Sequence, residues 1–238
     1  MTANVPLPVP RPPTADGQSA PKPADSEGAS SPTSPPFAEE SPPPAMDPAA
    51  LAACLSDFAA RGGEVIAPPA GDTPAQPGGA CSIPGPVTFT QVRLSEEASV
   101  RLESPVTVRC TLARELAAWI RDDLAPIAKR HGGELAQLTG VGGHACRTRN
   151  GQPGARISEH ASGNAFDLLA LRFKDGRLVE LWRADEATRE IREEVKASAC
   201  ARFRTVLGPG ADSAHADHVH LDLRERRNDW RMCQWDVK

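Results

Sequence analysis

Apolar and polar residues alternate over 86–94 and 99–109, and this predicts two β-strands. Over 111–131, Leu112, Leu116, Ala117, Ile120, Leu124 and Ile127 recur at helical spacing. They predict a long amphipathic helix that stops at Gly132-Gly133. An earlier helix is expected to start at Asp47 as its cap, with Pro48 in the first position and Gly62 or Gly63 at its end. Residues 64–85 read as a loop. A strand is expected over 135–141. Stretches 165–173 and 178–182 flank Lys174-Asp175-Gly176-Arg177, a hairpin with an Asp-Gly turn. A second long helix is expected over 185–206, closed by Gly208-Pro209-Gly210, and a last strand over 218–223. Mixed element order with hairpin-joined strands predicts an α+β fold, a largely antiparallel sheet with flanking helices.

Composition divides the chain. It has 238 residues and 24 prolines, 14 of them among the first 50 positions. Residues 1–46 are therefore expected to be a disordered Pro-rich tail, since they bury too little apolar surface to offset ordering entropy. Two uses fit it equally, a spacer or a low-complexity remnant. Residues 47–238 form the working domain, long enough for a real core. A net charge of −4 and scarce aromatics (six Phe, four Trp, no Tyr) argue against a nucleic-acid partner. No apolar run reaches the roughly 20 residues of a membrane span. Six cysteines, Cys54, Cys81, Cys110, Cys146, Cys200 and Cys233, fall in the domain with no CxxC pair. Three disulfides in an oxidising compartment fit this, and so do six buried thiols. Pairing of sequence neighbours is the simplest arrangement: Cys54–Cys81, Cys110–Cys146 and Cys200–Cys233.

Histidine carries the chemistry. Four of six lie in two short segments, one running from Ser158 to Asp167 with His160, the other from His215 to Asp222 with His218 and His220. On a strand, His218, His220 and Asp222 share one face, backed by Val219, Leu221 and Leu223. Gly163 and Ala165 keep the turn after His160 small, so the backbone can approach a neighbour closely. His160 and Asp167 from one segment and a histidine from the other make a two-nitrogen, one-carboxylate set. That set suits a catalytic zinc with an open fourth position. Ordinary hydrogen-bonded His–Asp pairs are the competing reading. Glu159 and Asp217 read as solvated charges, and His131 as a cation at a helix C-terminus. His144 lies near the arginines at 147 and 149. Asp222 is placed either to orient a ligand ring or to stand apart.

Ser158-x-His160-x-x-Gly163-x-Ala165-x-Asp167 resembles the SxHxxGxAxD motif of a group of zinc peptidases. That group includes D-Ala-D-Ala carboxypeptidases, lysostaphin-type enzymes and the hedgehog signalling domain. His215-x-x-His218-x-His220 resembles their second motif, (E/H)xxHxH. Within that group the span from Cys54 to Cys233 is similar to the bacterial extensin-like C-terminal family, through Ala145-Cys146-Arg147-x-Arg149-Asn150-Gly151, Val206-Leu207-Gly208-Pro209-Gly210 and the six cysteines. The resemblance implies one Zn²⁺ on the sheet held by His160, Asp167 and His220. It also implies His215 as general base, His218 steadying the site, and Arg147 or, failing it, Arg149 at the oxyanion. Two departures stand out: no Tyr precedes Arg147, and His215 stands where the best-known members have Glu.

The expected activity is hydrolysis of peptide bonds in peptidoglycan stem peptides or cross-links, in the periplasm or at the cell surface. The alternatives are a non-catalytic zinc-stabilised cell-wall binding module and a disulfide-stapled domain without metal. The N-terminal MTANVPLPVPRPP shows no charged segment followed by an apolar stretch, so no export signal is legible there.

Overall fold

The computed structural model describes residues 43–69 and 79–238; the expected tail lies almost entirely outside them. Helix α1 is Pro48–Ala60. The Asp47 carboxylate accepts from the backbone N–H of Ala49 and Ala50, both at 3.0 Å, and Pro48 begins the first turn. The helix buries Cys54 and Phe58, then ends at Gly62 with φ 86°. A Cβ on Gly63 would fall 2.3 Å from the Phe58 ring, so glycine is required where the chain doubles back over it.

Strands β1 (Pro86–Arg93) and β2 (Ser99–Arg109) pair antiparallel, as their alternation predicts, with an irregularity between Phe89 and Gln91. Helix α2 (Cys110–Trp119) follows directly. The expected single helix over 111–131 is instead α2, a wider π turn at Ile120–Leu124, and α3 (Ala125–Arg130). Pro126 accounts for the break. It has no N–H to give the preceding turn and its ring crowds the carbonyl there. The wider turn relieves this, and the Ala125 N–H reaches back to the Ile120 carbonyl.

β3 is Leu135–Thr139. The stretch 165–173 is not one strand. It divides at Leu169 into β4 (Ala165–Leu168) and β5 (Ala170–Phe173), which join different sheets. Leu169 is held at the crossing by its N–H on the Thr139 carbonyl and its own carbonyl on the Leu181 N–H. β6 is Leu178–Glu180, paired with β5 through the expected turn. Helix α4 (Arg189–Arg202) ends earlier than expected, because Thr205–Leu207 is a strand, β7, not a last helical turn. β8 (Val219–Asp222) and β9 (Met232–Gln234) complete the set.

The fold is α+β, but not with a largely antiparallel sheet. Among the described residues two mixed sheets form, in the orders β1-β2-β3-β5-β6 and β4-β8-β7-β9. Each contains a parallel pair, β2 with β3 and β7 with β9. Periodicity marks strands but does not choose their partners, and both parallel pairs join strands remote in sequence. One core links both sheets to α2 and α4. In it Trp119 packs edge-on to Phe203 and donates through Nε1 to Ser198 Oγ at 2.9 Å.

All six cysteines are paired, as Cys54–Cys110, Cys81–Cys146 and Cys200–Cys233. The last matches sequence-neighbour pairing; the first two do not. α1 packs against the start of α2, which brings buried Cys54 to buried Cys110 across 56 residues. Replacing Cys54 and Cys110 together by alanine is expected to lower stability by about 4 kcal/mol, the loop-entropy value for that separation. Denaturant unfolding measures it, and a loss near zero would show that the packed helices hold this end without the bridge.

Candidate metal centre and cleft

His160 lies in a 3₁₀ turn, Glu159–Ser162, where the Ser158 hydroxyl accepts from the His160 N–H at 3.4 Å. Gly163 ends the turn at φ 65°, and a Cβ there would meet the Arg109 nitrogen and an Ile83 methyl at 2.8 Å. The small turn that the motif predicts is therefore pressed against β2, where the Arg109 N–H donates to the Gly163 carbonyl at 2.8 Å. The chain then enters β4, which carries Asp167. β8 pairs antiparallel with β4 in the register that sets Asp167 directly opposite His220. Tight turn and register together bring the two segments to one point.

There His160 Nε2, Asp167 Oδ1 and His220 Nδ1 form a triangle with edges of 3.1, 3.1 and 3.2 Å. The rest of each ring decides what those atoms are. His160 Nδ1 is 2.7 Å from the Gly143 carbonyl, which only accepts, so Nδ1 carries the hydrogen and Nε2 a lone pair. His220 Nε2 is 3.2 Å from Asp222 Oδ2, so that nitrogen donates and Nδ1 faces the triangle. Neutral rings would thus bring lone pairs from all three groups together in a buried place, which is unfavourable unless something positive lies among them. A proton or a cation meets that need, and these three residues could hold a metal ion.

Without an ion, the positive charge is a proton on His220. Burial alone would lower its pKa, but hydrogen bonds and charge from Asp167 and Asp222 outweigh burial and push it up to about 9. Burial alone would raise Asp167, but the protonated His220, donating through Nδ1 and carrying charge beside it, holds it far below the usual carboxylate range. Asp222, 3% exposed, orients the His220 ring, which settles the alternatives left open for it.

A cleft of about 280 Å³ opens over the triangle. His215 ends the short turn Ser213–His215 at its wall. Asp212 caps that turn, accepting from the N–H of Ala214 and of His215, and also lies 2.7 Å from His215 Nδ1. The ring therefore gives its Nδ1 hydrogen to Asp212 and keeps a lone pair on Nε2. Burial holds His215 below the ordinary histidine value despite Asp212, so it is neutral at pH 7. His218 lies one residue before β8, not on it, yet its Nε2 is 3.7 Å from Asp167 Oδ1, and its ring centroid is 5.4 Å from that of His215.

Arg147 and Arg149 both line the cleft. Their loop is tied to the site by the Ala145 N–H on the His160 carbonyl, the Ser158 N–H on the Arg147 carbonyl, and the Cys81–Cys146 bridge. Arg224 and Arg226 line it as well, and with Asp212 they are the charged cleft residues that sequence reasoning missed. An Asp three residues before His215 was the only local signal for Asp212. The arginines follow β8 and gain their place only by tertiary packing.

Of the two readings of surface charge, that of Asp217 holds and that of Glu159 is corrected. Glu159 is not simply solvated: its carboxylate accepts from Asn164 Nδ2 at 2.6 Å and lies 3.7 Å from Arg224. Asp217 is exposed but hydrogen-bonded to His218 Nδ1 at 2.9 Å. His131 stands at the end of α3 as expected and pairs with Glu194 on α4 at 2.8 Å. His144 donates to the Cys81 carbonyl at 3.2 Å and is not among the residues lining the cleft.

No curated protein and no solved structure matches the chain. A family model does. It spans residues 52–234, from within α1 to the end of β9, and so contains every residue of the triangle and the cleft. The chain belongs to the family described as the extensin-like protein C-terminus.

Proposed function

We propose that this protein is a zinc-dependent peptidase that hydrolyses peptide bonds in peptidoglycan stem peptides or cross-links, working in the periplasm or at the cell surface. The convergence of His160, Asp167 and His220 beside an Asp212-held His215 carries the reading. Triangle edges of 3.1–3.2 Å fit zinc. Ligand atoms at the usual ~2.0–2.1 Å in a tetrahedral site lie about 3.3 Å from one another. Two imidazoles and one carboxylate also form a donor set that leaves a fourth position open. Zinc held there would polarise the substrate carbonyl and acidify water.

This chain's residues supply the rest. His215 Nε2 accepts a proton while Asp212 holds the ring through Nδ1 and steadies the imidazolium that forms. The Arg147 guanidinium, on the cleft wall, offers charge and N–H donors to an oxygen that becomes negative, with Arg149 as second choice. His218 stands beside Asp167 and His215 and braces both. Three disulfides and the absence, among the described residues, of a helix able to cross a membrane are compatible with an exported domain.

The test combines metal analysis of the purified protein with digestion of purified sacculi and mass mapping of the products. About one equivalent of zinc and released or shortened stem peptides are expected. Zinc without cleavage would favour the binding module, and less than about 0.1 equivalent of any divalent ion would remove the metal altogether.

The proton on His220 makes zinc affinity depend on pH. An entering ion must displace it, so affinity is expected to rise about tenfold per pH unit from pH 7 towards 9. Competition with a chelator at three pH values measures the slope, and a flat result would show that His220 is not a ligand. In metal-free protein the same proton works in the opposite sense. Its stabilisation is complete below about pH 6.5 and is lost as pH rises through about 9.

A further inference from the structure

Among the four tryptophans, Trp119 and Trp235 are buried, Trp182 is 39% exposed and Trp230 54%. Trp230 follows a turn, Arg227–Asp229, in which Asn228 and Asp229 both have φ of 57°. Two consecutive L residues in the left-handed region are a backbone cost that persists only where the surroundings impose it.

Here they do. Asp229 pairs with Arg204, and the Met232 N–H donates to the Arg204 carbonyl at 2.9 Å. Arg231 Nη1 donates to the Ala201 carbonyl at 2.6 Å, and Cys233 is bridged to Cys200 on α4. The strained turn is fixed to the end of α4, and its product is an indole turned to solvent.

That indole is not alone. The Arg226 guanidinium lies 5.5 Å from its ring centroid. Arg226 is held by donating to the Arg204 and Arg224 carbonyls at 3.3 and 3.4 Å, and it lines the cleft over the triangle, as does Met232. An exposed indole with a guanidinium held over one of its faces therefore stands next to the cleft.

A pyranose matches this chemistry. One face of the sugar ring presents C–H bonds to the indole face opposite Arg226, and hydroxyl and N-acetyl oxygens that reach past the indole edge accept from the guanidinium. A cationic partner is disfavoured by Arg226, and a purely apolar one leaves its donors unused.

We propose that Trp230 and Arg226 form a sugar subsite beside the cleft that takes an N-acetylhexosamine ring of the glycan carrying the stem peptide. The sugar-binding part stands on Trp230 and Arg226 alone. Its use during cleavage rests on the peptidase reading above.

The experiment titrates the full chain with chitotetraose, followed by tryptophan fluorescence and calorimetry. Saturable binding is expected. Trp230→Ala should weaken it about 3–10-fold, the worth of one aromatic stack. Trp182→Ala should bind as wild type, and Trp230→Phe should recover part of the loss. No binding by the wild type at millimolar sugar, equal binding by Trp230→Ala, or preference for a Phe-containing peptide over the sugar would each overturn the subsite.

A second arm compares cleavage of glycan-linked and free stem peptides. The wild type should prefer the linked form, and Trp230→Ala should bring the ratio close to one. An unchanged ratio overturns the role in cleavage. No cleavage of either substrate overturns the peptidase reading, while the titration still decides the subsite.

Discussion

Changing His215 to alanine is expected to lower hydrolysis of cross-linked stem peptides by about 10²–10⁴-fold, the usual worth of a general base, while bound zinc stays near one equivalent. The two readouts separate because His215 lies outside the triangle. Its Nδ1 is committed to Asp212, and its ring centroid is 5.5 Å from that of His220. Asp212→Asn should lie between wild type and His215→Ala in rate. It should also move the acid limb of the rate profile to lower pH, because the Asp212 charge supports the protonated imidazole against burial. Zinc lost together with activity in His215→Ala would make the residue a ligand and remove it as base. Full activity in that variant would end the assignment.

What was legible in the sequence was local. Asp47-Pro48 caps α1 as such a pair should, since a cap acts within four residues. The alternation of β1 and β2 and the turn at Asp175-Gly176 are equally short-ranged. The triangle was legible too, because SxHxxG sets one ligand in a turn and a two-residue period sets another on a strand. Pairing across distance was not. Nothing local tells Ala165–Leu168 to join β8 while Ala170–Phe173 joins β3, since both halves are equally apolar. Phe203 leaves α4 for an extended backbone although the preceding run favours helix, because β7 gains partners on both sides in β8 and β9. Cys54 meets Cys110 only after α1 lies on α2. The same reason hides Arg224 and Arg226, whose position over the triangle depends on how β8 leaves the sheet.

Asp167→Asn should abolish the stabilisation that zinc confers on the folded chain. An ion that binds only the native state adds about 4 kcal/mol when its free concentration is a thousand times the Kd. For a domain of this size that raises Tm by roughly 8–16 °C. The wild type is expected to show such a rise when zinc is restored after chelation. The asparagine keeps the shape of the side chain but presents a neutral oxygen, or an N–H₂ that repels a cation, at the corner now held by Oδ1. It also takes from His220 one of the two carboxylates that keep its proton, so metal-free Asp167→Asn should be less stable than the metal-free wild type near neutral pH. Thermal unfolding with and without zinc reads both effects. A wild type indifferent to zinc would reduce the triangle to a proton held between two histidines and two carboxylates. A variant with an undiminished rise would move the ion to other residues.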